Sequence, residues 1–150
     1  SPGELFVVRN DAALVPPYAP DAAFHGTSAA IEFGVRVLQV RDLVVMGHGL
    51  CGGVQGLLHG VPAEASDFVA GWMAMAAPVR ARALTCDSPE AQQLCGEQEV
   101  VKVGLGNLRS FPWIAEREKA GQLLLHGAHF DVRTGRLSFL QDDGGFAEIA

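Results

Sequence analysis

The chain has 150 residues, 49% hydrophobic and 19% charged, enough apolar surface for one compact domain over residues 1–150 without metal or disulfide staples. A formal net charge of −6 argues against a surface for polyanions, because neutralising phosphates takes a clustered excess of Lys and Arg. Nucleic acid is therefore not an expected partner.

Three cysteines, Cys51, Cys86 and Cys95, are an odd number in a domain that needs no disulfide framework, which points to a reducing compartment, the cytoplasm. The longest stretch without a formal charge, Leu43 to Ala63, contains His48, His59, Gln55, Pro62 and six glycines, so it is too polar and broken to span a bilayer. No signal peptide is visible at Ser1-Pro2-Gly3-Glu4, and the chain opens almost directly into an apolar run, as if a segment preceded it.

In chain order, Leu5 to Val8 reads as a short buried strand of the kind found in parallel sheets covered on both faces. Pro16, Pro17 and Pro20 then exclude regular structure up to Ala23. Thr27 or Ser28 is placed to cap a helix through Leu38, with Ile31, Val35 and Leu38 on one face. Leu43 to Met46 is a second strand, ending in the glycine-dense turn Gly47 to Gly53. That order is a βαβ pattern, in which ligands collect beyond the carboxyl ends of the strands.

Ala65 to Ala83 reads as helix, bent or broken at Pro78, with Phe68, Trp72, Met75 and Val79 as core positions. Pro89 to Gly106 is a further helix, and Pro112 starts another. Leu123 to His126 and Phe130 to Val132, parted by Gly127, and then Leu137 to Leu140 read as strands, the last two joined as a hairpin.

His48-Gly49-Leu50-Cys51 puts an imidazole and a thiol three residues apart on one tight turn, within reach of a single zinc ion. By itself an H-x-x-C pair is more often a buried cysteine near a hydrogen-bonded histidine. Its surroundings give it meaning. Gly47-His48 to Cys51-Gly52-Gly53 matches the G-H-x-x-C-G-G signature of β-carbonic anhydrases. Pro2 to Asn10 resembles that family's P-G-[DE]-L-F-V-x-R-N segment, and Ser28 to Phe33 its helix bearing A-[LI]-E-[YF]. Val103 to Leu108 is similar to the helix before the family's final strands, and Leu125 to Gly135 resembles its L-x-G-x-x-[YF]-D-x-x-T-G hairpin.

This resemblance implies an α/β fold with a central, mainly parallel sheet flanked by helices and a C-terminal antiparallel hairpin. It further implies a zinc lyase that interconverts carbon dioxide and bicarbonate as a homodimer or higher homo-oligomer. His48 and Cys51 would hold zinc, and the backbone N–H of Gly52 would help position substrate. The family's third ligand, the Cys of an upstream C-x-D-S-R motif, and the Asp–Arg dyad of the same motif have no counterpart here. The chain is thus expected to lack the family's N-terminal helical arm and first strand.

Cys86-Asp87-Ser88-Pro89 echoes that motif but lacks its Arg, and family order puts it far from the turn. Arg9 matches the arginine of a regulatory anion site in one subtype, but Phe130 stands where that site uses a Tyr hydroxyl. Asp11 and Ala13 also depart from the family pattern. His25, His59, His126 and His129 are the remaining groups suited to moving a proton near neutral pH. Two other readings remain: hydrolysis of carbon disulfide or carbonyl sulfide with the same ligands, or a metal-free, inactive module that assembles with partners.

Overall fold

The computed structural model describes residues 3–21 and 23–148. Ser1, Ala22, Ile149, Ala150 and Pro2, the proline that opens the P-G-E-L-F motif, lie outside the described residues. The elements are α1 (Gly26–Glu32, continued by a π-helical turn over Phe33–Val37), β1 (Asp42–His48), α2 (Gly52–His59), α3 (Val69–Ala74) and α4 (Ala77–Ala83). They are followed by α5 (Pro89–Leu108), α6 (Pro112–Lys119), β2 (Leu124–Asp131), β3 (Arg136–Leu140) and β4 (Phe146–Glu148).

The strands form one sheet in the order β1-β2-β3-β4. β1 runs parallel to β2, with Gly47 opposite His129 and His48 opposite Phe130, whereas β2–β3 and β3–β4 are antiparallel. The parallel pair is joined by a crossover through α2 to α6. The hairpin over Phe130 and Leu137 is as expected, and Asp131 shapes its turn by accepting from the Arg133 N–H at 2.9 Å. No helix among the described residues is long and apolar enough to cross a membrane.

The central support is α5, 20 residues that would run about 30 Å. Ser88 caps it by accepting from Ala91 N at 3.1 Å, and Pro89 occupies the first turn, where its missing donor costs nothing. Gly96, Glu97, Val100, Val101, Gly104, Leu105 and Leu108 are buried along it, the three- and four-residue spacing of one helix face. Val101 and Leu108 are fully enclosed, each contributing about 1.5–3 kcal/mol through removal from water.

Several expectations need correction. Leu5 to Val8 is not a strand: it has no regular structure, with Leu5 81% and Val7 66% exposed. A strand requires a neighbour's ladder, and this segment instead lays Phe6 against Phe33 with ring centroids 5.8 Å apart. The stretch 65–83 is interrupted at Ala76, before Pro78, which sits in the first turn of α4 rather than bending one long helix. Gly127 does not separate a pair of strands, since β2 passes straight through it, and β4 went unread. α1 starts after His25, without a side-chain cap from Thr27 or Ser28.

A disulfide joins Cys86, just before α5, to Cys95 within it, so these thiols are paired with each other rather than free. Neither is bonded to Cys51.

The segment before α1 turns sharply at Ala12 and Ala13, whose φ values of 62° and 52° are left-handed and cost a Cβ-bearing residue about 1 kcal/mol each. Trp72 Nε1 donating to Asp11 O at 2.9 Å and Asn107 Nδ2 donating to Val15 O at 2.7 Å hold the turn against the helices. Replacing Ala13 with glycine should therefore raise stability by about 0.5 kcal/mol, relief of strain exceeding the added chain entropy. Ala13→Val should lower it by more than about 1 kcal/mol, both read from urea denaturation midpoints.

Candidate active site

β1 ends at His48, and the chain stays attached to the sheet for one more residue, Gly49 N donating to Phe130 O at 2.8 Å. Leu50 then takes a left-handed φ of 58°, an unusual state for a branched residue, and reverses the chain into Cys51. Cys51 stands at the N-cap of α2 and is buried, 6% exposed. His48 is exposed, its Nδ1 lying 2.9 Å from Gly49 O. When Nδ1 carries the proton for that bond, Nε2 keeps its lone pair outward, the tautomer a metal ligand requires.

His48 and Cys51 border one small cavity with Ala12, Ala13, Gly47, Val54, Glu97 and Val100. At ≈ 10 Å³ it has room for about one water molecule. Gly52 opens α2; its N–H has no intrahelical partner at that position, and the surface beside it is open, with nothing within 4 Å of where a Cβ would stand.

Glu97 lies behind the turn on α5, only 2% exposed. Its Oε1 accepts from the Cys51 N–H at 3.2 Å and from Gln93 Nε2 at 2.8 Å, and its Oε2 faces His129 Nε2 at 2.9 Å. Gln93 Nε2 also donates to Cys51 O at 3.1 Å, so both peptide groups of Cys51 are held by α5. Burial pushes the Glu97 carboxyl up, but the hydrogen bonds from His129, Gln93 and Cys51 together outweigh it and leave the group below its ordinary value. Glu97 is thus an anion enclosed by donors.

The expected site residues divide accordingly. His48, Cys51 and Gly52 share the turn. Arg9 is exposed on the segment leading to the Asp11–Ala13 turn. His25 pairs with Asp21 at 2.6 Å and His126 with Asp42 at 2.9 Å, both partly exposed, whereas His59 is exposed at the end of α2. Cys86 is engaged in its disulfide. Among the described residues no group of three or more His, Cys, Asp or Glu side chains converges as a metal cage. The donor set that fits zinc is therefore His48 and Cys51, two of the three protein ligands a catalytic zinc takes. Sequence reasoning missed Gln93 and Glu97. Glu97 shares a face with Val100, Val101 and Gly104, and an acid on the apolar face of a helix signals a buried role.

A carbonic anhydrase family profile matches residues 1–137. The chain is 36% identical to β-carbonic anhydrase 3 of Arabidopsis thaliana over 149 residues, which cover 94% of this chain and 57% of that protein. It is also 36% identical to a carbonic anhydrase of Pseudomonas aeruginosa, over 93% of this chain and 63% of that one. Among solved structures, the β-carbonic anhydrase CcaA superposes with a TM-score of 0.91 at 28% identity, covering 99% of this chain and 74% of that one. A structure described as one of two tetrameric β-carbonic anhydrases from Sordaria macrospora gives 0.80 at 28% identity, over 100% and 72% of the two chains. The fold is an α/β fold of the β-carbonic anhydrase kind, a mixed sheet flanked by helices, with the His48–Cys51 turn following the carboxyl end of β1. The chain belongs to the β-carbonic anhydrase family, and it spans about three-fifths of the length of the curated relatives it matches.

Gly47 is required for this geometry: a Cβ there would stand 2.9 Å from the Glu97 carbonyl oxygen and 3.1 Å from Val101 Cγ2. Gly47→Ala should cost about 1–3 kcal/mol, because neither backbone nor core can give way. Gly52→Ala, which meets open space, should stay within about 0.5 kcal/mol. Thermal melts of both variants test the contrast.

Proposed function

We propose that this chain carries the zinc-binding turn of an enzyme that reversibly hydrates carbon dioxide to bicarbonate and a proton. His48 Nε2 and the Cys51 thiolate are the ligands it contributes, and the Gly52 N–H positions substrate oxygen. The observation that supports this most is the turn itself: an imidazole oriented by its neighbour's carbonyl, beside a buried cysteine whose two peptide groups are both fixed. Zinc, when bound, supplies the Lewis acidity that brings a water's pKa down to about 7.

The residues present do the rest by placement. The thiolate and neutral imidazole leave a centre of low charge. The Gly52 N–H, at the positive end of α2, favours the negative charge that grows on substrate oxygen as water adds to carbon. The third ligand and the Asp–Arg dyad would come from a C-x-D-S-R segment upstream of Ser1. Arg9 is a candidate anion site, without the Tyr hydroxyl that would complete a regulatory one, because Phe130 stands at that position. Because the described residues bring together two donors rather than three, a metal-free module that assembles with partners is the competing reading.

Homo-oligomers are proposed from the surface. β1 is an edge strand with Val44 51% and Met46 53% exposed, and Leu5, Val7 and Phe33 are exposed as well. Apolar edges of this kind pair with other chains. A cytoplasmic setting, proposed from cysteine usage, requires the Cys86–Cys95 bond to be open there; counting free thiols in chain alkylated at lysis reads this.

Zinc content and stopped-flow hydration measured on two forms test the central reading. A form extended upstream by a C-x-D-S-R segment should bind stoichiometric zinc and hydrate carbon dioxide, and Cys51→Ser within it should abolish both. The 150-residue chain should show little hydration above buffer; full activity would mean the third ligand lies elsewhere. Product assays with carbon disulfide and carbonyl sulfide separate the hydrolase alternative. In sedimentation velocity the chain should associate with rising concentration, and Val44→Lys should weaken that association.

A further inference from the structure

The geometry points to Glu97 as a positioning residue: with Gln93 and His129 it clamps the main chain of Cys51, so that the thiol is presented to the cavity it shares with His48. The inference deepens the zinc reading proposed above and rests on it only for the purpose of the clamp, not for its existence.

Cys51 follows a left-handed Leu50 and precedes the exposed first residue of α2; locally its carbonyl accepts from Gln55 N at 3.0 Å, while its N–H faces away from the turn's own backbone to Glu97 Oε1. The remaining hold comes from α5. Glu97 Oε1 takes the Cys51 N–H, and Gln93 Nε2 bonds both Cys51 O and Glu97 Oε1. Gln93 and Glu97 are four residues apart on one helix, hence on the same face, and straddle the cysteine like two fingers.

His129 completes the arrangement from the other side of the sheet contact. It is 5% exposed, sits opposite Gly47 in the β1–β2 register, and meets Glu97 Oε2 at 2.9 Å. Phe146 of β4 covers its ring, with centroids 6.5 Å apart. A carboxylate gripped at both oxygens has little freedom to rotate, so its hold on Cys51 is directional as well as strong. Gly47 makes the reach possible, since any side chain there would stand in the gap between α5 and β1.

The expected consequence is visible without metal. Cys51 is the one cysteine outside the disulfide, so its alkylation rate with iodoacetamide reports the turn directly in the folded chain. Glu97→Leu, similar in size but unable to accept a hydrogen bond, should speed alkylation by about tenfold or more at temperatures where far-UV circular dichroism shows the chain folded. Glu97→Gln keeps an acceptor for the Cys51 N–H and should restore a near-native rate. His129→Leu leaves Glu97 in place but ungripped and should give an intermediate rate, a measurement that stands even where Glu97→Leu fails to fold. Alkylation that is unchanged in these variants, or that rises only with the unfolded fraction, or a glutamine no better than leucine, would overturn the clamp.

Cobalt(II) titration supplies the second readout, a thiolate-to-cobalt charge-transfer band from Cys51. Expected is a band in the chain extended upstream by the C-x-D-S-R segment, one that weakens in its Glu97→Leu variant and recovers in Glu97→Gln. If that extended chain gives no band while the alkylation pattern holds, the zinc reading fails and the clamp stands. A band that persists undiminished in Glu97→Leu, with flat alkylation rates, sinks the clamp and leaves the zinc reading intact.

Discussion

The close approach of α5 to the β1–β2 pair is the contact on which the rest depends. It is made by absent side chains. Gly47 and Gly127, on neighbouring strands, leave no room for a Cβ against α5: Gly47 faces Glu97 O and Val101, and Gly127 faces Val101 Cγ1 at 2.9 Å and Leu105 Cδ1 at 3.1 Å. Gly104 does the same from the helix side, against Val45 and Val15. Helix and sheet can therefore approach more closely than larger residues would permit, and Val101 and Leu105 fill the strip the glycines leave.

That proximity determines what a buried charge can do here. Taking a carboxylate out of water costs several kcal/mol unless donors replace the lost solvent. Glu97 meets three: a backbone N–H, an amide and an imidazole. Two of these lie on other elements, so the carboxylate is satisfied only when α5, β2 and the turn after β1 are all in place. The polar cluster thus couples formation of the turn to docking of the helix. An apolar residue at this position could fill the space but would leave the Cys51 N–H unpaired.

How far the sequence could be read follows the same division between local and distant causes. The turn at Gly47–Gly53 and the start of α5 at Ser88-Pro89 were legible because their determinants lie within a few adjacent residues. The strand at Leu43–Met46 and the final hairpin followed from apolar runs bounded by turn residues. Leu5 to Val8 misled for the complementary reason: four apolar residues in a row describe a strand that has found a neighbour, and composition does not say whether the neighbour is there. Gly127 looked like a boundary, but the need for it arises from α5, which no local window contains. The His129–Glu97 pair spans 32 positions and joins two elements whose packing is itself the unknown.

The candidate site is divided in the same way. His48 and Cys51 are close in sequence, so their association is local and survives as a readable motif, while the groups that orient them are remote. Similarity at 28% identity accompanies a TM-score of 0.91, so the backbone path persists through extensive replacement of side chains. A backbone path alone does not fix a thiol, however. With Leu50 in a left-handed state and Gly49, Gly52 and Gly53 around it, the turn is intrinsically among the least constrained parts of the chain. Beyond the Gln55 N–H on Cys51 O, its order is imposed from outside, by donors and acceptors on α5, which buries more residues than any other helix among the described residues.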